Sequence, residues 1–105
     1  MYSGQITDPH QHLWDYKFKY SHGWLQMDSH PWTGDWTMLA NNYLIEDYLE
    51  DIKNQNVTKS VHVEAEWNDN PGAWGETKWL NEINREYNYP NSIVGHFNLS
   101  NEDAE

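Results

Sequence analysis

The chain has 105 residues, 37% hydrophobic and 15% aromatic, with seven Trp, no Cys and a formal net charge of -11. That length suits one domain, and that charge repels phosphate backbones and anionic membranes, so nucleic acid and membrane are excluded as partners. Without cysteine there are no disulfides or thiolate metal sites, and without a run of ~20 apolar residues or a basic-then-apolar leader the expectation is a soluble, cytoplasmic protein.

Residues 6–12 follow a short polar start and alternate with period two, which predicts a strand with Ile6, Asp8, His10 and His12 on one face and Thr7, Pro9 and Gln11 on the other. From 13 to 42 no period holds, and Gly23, Pro31 and Gly34 punctuate a loop rich in Trp, Tyr and Asp. Loops of that length usually carry function or are disordered. Leu44, Tyr48, Leu49 and Ile52 then recur at helical spacing, with Glu46 and Asp47 at the favourable N-terminal end, so a helix is predicted over 45–55.

Residues 57–65 read as a second strand, with Val61, Val63 and Ala65 opposite Ser60, His62 and Glu64. The run Asn68-Asp69-Asn70-Pro71-Gly72 breaks it. Trp79, Leu80 and Ile83 mark a second helix over 74–87, closed by Pro90, and residues 92–99 a third strand. Ser100 followed by Glu102 and Asp103 has the character of a further helix N-cap. Alternation of this kind predicts a parallel α/β sheet with right-handed crossovers and helices packed outside.

Two histidines at i and i+2 on a strand point to the same side and can converge on one ion, and His10 and His12 have that spacing. Six scattered histidines would produce roughly 0.3 such pairs by chance, so the spacing alone does not make a site. Its position does more, because the pair ends the first strand of a βα series, the rim where parallel α/β folds place their chemistry.

The segment Ile6-Thr7-Asp8-Pro9-His10-Gln11-His12-Leu13-Trp14-Asp15 resembles the opening strand of the amidohydrolase-related family of metal-dependent hydrolases, whose signature is an aspartate, often a proline, then His-x-His and Leu-Trp-Asp. Tyr43-Leu44 with Glu46-Asp47-Tyr48, the run Lys59-Ser60-Val61-His62-Val63-Glu64-Ala65-Glu66-Trp67, Gly75-Glu76-Thr77 with Trp79-Leu80, and Ile93-Val94-Gly95-His96 with Leu99-Ser100 are similar to that family's following elements. The resemblance implies the first three βα units of a (β/α)8 TIM barrel, the N-terminal part of a single domain, acting on a lactone, amide or similar carbonyl bond of a small molecule. Some relatives decarboxylate aromatic acids. It implies a divalent metal, zinc first, with His10 and His12 as two ligands. The other ligands and the catalytic aspartate are expected beyond Glu105, so the chain alone is expected to be inactive and partly unfolded or aggregated.

In such a barrel the face of His62 and Glu64 points inward, which makes both candidate substrate contacts, joined by Trp67 just past the strand and by Trp14 in the first motif. Glu66 lies at the same rim. His22 and His30 are expected to be solvated loop residues, and Trp24, Trp32 and Trp36 to serve loop packing more than a pocket wall. The competing reading is a non-catalytic acidic interaction module with structural histidines and a partner-binding Trp-rich loop.

Overall fold

The computed structural model describes residues 2–16, 22–27, 29–68, 72, 74–100 and 102. Asp69, Asn70 and Pro71 of the expected strand breaker, and Asp103 of the expected N-cap, lie outside the described residues. Along the chain run β1 (Ile6–Gln11), two short strands β2 (Ser29–His30) and β3 (Gly34–Asp35), α1 (Ile45–Ile52), β4 (Val57–Val63), α2 (Gly75–Tyr87) and β5 (Ser92–Val94), with 3-10 turns at Gly23–Gln26 and Thr37–Leu39.

β1, β4 and β5 form a parallel sheet in that order, while β2 and β3 pair separately as an antiparallel ribbon. The barrel expectation is thereby corrected: the described residues form a small α/β fold around an open three-stranded sheet, and the third strand stops at Val94, well short of 99. βα alternation is common to every parallel α/β architecture, so it dictated parallel pairing without dictating closure.

Helix α1 forms where Ile45, Tyr48, Leu49 and Ile52 make one apolar stripe, and its start is fixed by Asp47 Oδ2 accepting the Leu44 N–H at 2.8 Å. It ends three residues earlier than expected, in a turn where Gln55 N–H donates to Ile52 O at 2.8 Å. The asparagines on either side of Gln55 favour such turns over helix. Helix α2 ends at Asn88, whose left-handed backbone (φ 63) lets its N–H reach Asn84 O at 2.8 Å. A cis Tyr89-Pro90 bond follows.

Leu13, Ile45, Tyr48 and Leu80 form the buried core, with Trp79, Ile83 and Ile93 packed around them. Both helices contribute to it, and Tyr87 of α2 donates its hydroxyl to Glu46 of α1 at 2.7 Å. In β4 the side chains that turn to this layer are the polar ones. Ser60 and His62 are fully buried, whereas Val61 and Val63 are half-buried and Val94 is 51% exposed. The expectation that the valines lie under the helices with His62 on the open side is thus reversed.

A β-bulge accounts for the placement of β1. Asp8 is opposite Ser60 and Gln11 opposite His62, so three steps on β1 match two on β4. The extra residue changes the phase of the alternation: Asp8 turns toward α1, where its Oδ2 accepts the Tyr48 hydroxyl at 3.1 Å, and Gln11 and Leu13 are buried behind it. Asp8 therefore does not share a face with His10 and His12.

Candidate functional site

His10 lies within the bulge and His12 just past it, and their Nε2 atoms lie 3.1 Å apart with the rings at 76°. His12 Nδ1–H donates to Val63 O at 2.9 Å, which leaves a lone pair on Nε2. In the metal-free chain the close contact is then a hydrogen bond from His10 Nε2–H to His12 Nε2. The backbone that carries His10 is held by Asp8, whose Oδ1 accepts the His10 N–H at 3.1 Å.

This donor set fits two ligands of a zinc-like ion. Imidazole nitrogens ~2.0–2.1 Å from a tetrahedral zinc are roughly 3.3–3.4 Å apart, close to the spacing found, and a ligating His ordinarily donates its other N–H to a carbonyl as His12 does. Among the described residues no group of three or more His, Cys, Asp or Glu gathers around one point. Two imidazoles alone hold a metal weakly.

His12 also borders an open cleft of about 760 Å³ whose walls include Trp14, Trp24, Trp36, His30, Glu64 and Glu66. The long loop builds most of it. Its ends are pinned by paired backbone hydrogen bonds, Trp14 N–H to Tyr43 O at 2.9 Å and Tyr43 N–H to Trp14 O at 3.0 Å. Trp24 is anchored by its Nε1–H on Ala65 O at 2.7 Å, and His30 stacks on Trp36 with centroids 5.0 Å apart. Glu64 leaves the end of β4 with its N–H on Val94 O at 2.9 Å, and its Oε2 accepts the Glu66 N–H at 2.8 Å.

Of the expected substrate contacts, Glu64 and Trp14 therefore reach the cleft, and His62 and Trp67 do not. His62 is sealed beneath α2, its Nε2–H donating to Leu13 O at 3.4 Å. Burial drives its pKa down to about 4, so it is neutral at pH 7. Trp67 packs edge-on to His22 at 5.3 Å and against Trp79 at 6.0 Å. It passes so near α2 that a Cβ on Gly75 would come within 2.6 Å of its Nε1.

The sequence reading also missed a buried polar centre. His22, expected in solvent, is fully buried, and its Nε2–H donates to Glu76 Oε1 at 3.3 Å. The same oxygen accepts the Ala65 N–H at 3.1 Å and lies 4.0 Å from His62 Nε2. Glu76 thus ties the base of the Trp loop, the exit of β4 and α2 to one atom. A signal was present, since Glu76 falls in register with Leu80, Ile83 and Tyr87 on the apolar stripe of α2. His30, also expected in solvent, is on the cleft wall, and Trp24 and Trp36 are wall as well as packing.

Among known proteins, the uncharacterized protein y4mH of Sinorhizobium fredii is similar to this chain, 41% identical over 100 residues that take in 94% of the chain. Those residues are 33% of the relative, so the chain spans about a third of the length of that protein. No family model matches the chain, and no solved structure matches it. No helix among the described residues is long and apolar enough to cross a membrane.

Proposed function

We propose that the chain contributes the first metal ligands, His10 and His12, and part of the substrate cleft of a cytoplasmic metal-dependent hydrolase of the amidohydrolase type, acting on a lactone, amide or similar carbonyl bond of a small molecule. The observation that carries this reading is the convergence of the two Nε2 atoms at 3.1 Å, with His12 oriented by Val63 O. The resemblance of the Asp8-Pro9-His10-Gln11-His12-Leu13-Trp14-Asp15 segment to that family supports it.

A divalent metal, zinc by choice of ligand, would supply polarisation of a carbonyl and activation of water at neutral pH. The chain's own residues do the positioning. Asp8 fixes the backbone of His10, Val63 O sets the tautomer of His12, and Glu64, held by the Glu66 N–H, presents a carboxylate to the same cleft.

Cobalt(II) titration of the metal-stripped chain tests the ligand assignment through the visible absorption of the bound ion. Saturable binding that weakens at least about tenfold in both His10→Ala and His12→Ala supports it. Binding in either variant as strong as in the unsubstituted chain overturns it. Metal-dependent turnover of lactones and amides, lost on His12→Ala, is the corresponding test of the hydrolase reading.

A further inference from the structure

The groups that the cleft presents beside His12 are electron-rich. Trp14, Trp24 and Trp36 have each committed the indole N–H elsewhere, to Asn41 O at 2.9 Å, Ala65 O at 2.7 Å and Thr33 Oγ1, so what they offer a ligand is π face. Successive rings turn by nearly a right angle, 81° between Trp14 and Trp24 and 79° between Trp24 and Trp36, at centroid distances of 5.6 and 5.0 Å. The cleft is therefore bordered by aromatic surfaces facing in more than one direction.

Charge points the same way. Glu64 and Glu66 line the cleft, and no Lys or Arg does among the described residues. Glu64 is not a free-swinging surface acid, because the Glu66 N–H holds one of its oxygens at 2.8 Å. Negative π faces and a fixed carboxylate, with no Lys or Arg among the described lining residues, disfavour an anionic ligand and attract a cationic one. A neutral hydrocarbon would use the rings alone, and a sugar would hydrogen-bond the carboxylates without balancing their charge.

We propose that the cleft binds an alkylammonium group, and that the small molecule it takes carries this cation a short distance from its carbonyl. The ammonium end lies against Trp24, Trp36 and Glu64, and the carbonyl end is at the His10–His12 pair. The second half of that statement rests on the hydrolase reading above. The cation site itself does not, since it uses no metal.

The test exploits that independence. The EDTA-treated 105-residue chain is titrated at pH 8, where an ordinary imidazole is neutral, with choline and separately with its uncharged isostere 3,3-dimethylbutan-1-ol, following tryptophan fluorescence. Saturable quenching by choline, about tenfold tighter than by the isostere, is expected. Glu64→Gln should remove most of that difference without weakening the isostere, and Trp36→Leu should weaken both ligands. Equal affinity for the two ligands, no saturable response, or choline binding unchanged in Glu64→Gln overturns the proposal. Near-UV circular dichroism of each variant confirms that the fold is retained, and Glu64→Gln, which removes only charge, serves should Trp36→Leu fail to fold. Cobalt titration of the same samples separates the two readings: choline binding without metal binding refutes the hydrolase assignment alone, and metal binding without choline discrimination refutes the cation site alone.

Discussion

Tyr48 of α1 donates its hydroxyl to Asp8 at 3.1 Å, and the other oxygen of that carboxylate accepts the backbone N–H of His10 at 3.1 Å, so a helix side chain steadies a candidate metal ligand two hydrogen bonds away. Burial first, and the Asp8 charge after it, push the Tyr48 hydroxyl up to about 12, which keeps it a donor across the ordinary pH range. Tyr48→Phe preserves the packing and deletes the donor. We expect it to cost about 1 kcal/mol in urea denaturation and to weaken cobalt binding roughly threefold to tenfold. Unchanged metal affinity in a folded Tyr48→Phe protein would show that Asp8 needs no support from the helix.

Acid sensitivity should arise at His62. Its folded pKa of about 4 lies below the 6.5 of a free imidazole, so between these values the unfolded chain binds a proton that the folded chain excludes. Stability therefore falls as pH drops through this window, by up to ~3 kcal/mol at its lower end, and is insensitive to this residue above pH 7. Chemical denaturation at pH 7, 5.5 and 4.5 should show the decline, and His62→Gln should flatten its slope. A slope identical in the two proteins would place the acid response at other groups.

Removing the carboxylate of Glu76 should be among the more damaging changes outside the apolar core. Glu76→Ala strands His22 and the Ala65 N–H in a buried setting, a loss of about 3 kcal/mol, while Glu76→Gln keeps an acceptor oxygen and should cost about half as much. Because His22 begins the Trp-bearing turn, both variants should also shift the tryptophan emission to the red. A loss below ~0.5 kcal/mol for Glu76→Ala would mean that water replaces the carboxylate without penalty.

The tautomer of His12 can be read directly. With Nδ1–H donated to Val63 O, long-range nitrogen-proton correlation spectra of the metal-free chain should show His12 protonated at Nδ1 and bare at Nε2. Zinc should then displace the His12 Nε2 resonance and leave Nδ1–H in place. A neutral His12 protonated at Nε2 would remove the basis for calling it a preset ligand.

Periodicity made the sheet legible before its shape was known: the strand starts at Ile6, Val57 and Ser92 and the helices beginning near Ile45 and Gly75 stand where the alternating and helical spacings put them. The i, i+2 histidines also meet as their spacing requires. What periodicity could not supply was the phase of β1 after the bulge, because the extra residue is absorbed in the pairing with β4 and leaves no mark in the apolar pattern. It also assigned β4 to the wrong side. Apolar content favoured burying Val61 and Val63, but His62 and Ser60 took the helix face, where Leu13 O and Glu76 surround the imidazole. Burial in that instance followed hydrogen-bond opportunity across 49 residues of sequence, which no local window contains.

The bulge between Asp8 and Gln11 lets one six-residue strand speak to both sides of the sheet with polar groups. Its first half hands a carboxylate to the helix layer, and after a single extra step its second half hands imidazoles to the opposite side while Gln11 and Leu13 go inward. Side chains here are read in a frame, and length matters more than identity. Deleting one residue, such as Pro9, would change the phase of the side chains from His10 to Leu13 relative to Asp8, setting Leu13 against the core and His12 against the cleft, whereas replacing Pro9 with another residue would leave the frame intact. Tolerance of substitution joined to intolerance of deletion is the mark this strand should carry in any descendant that keeps the site.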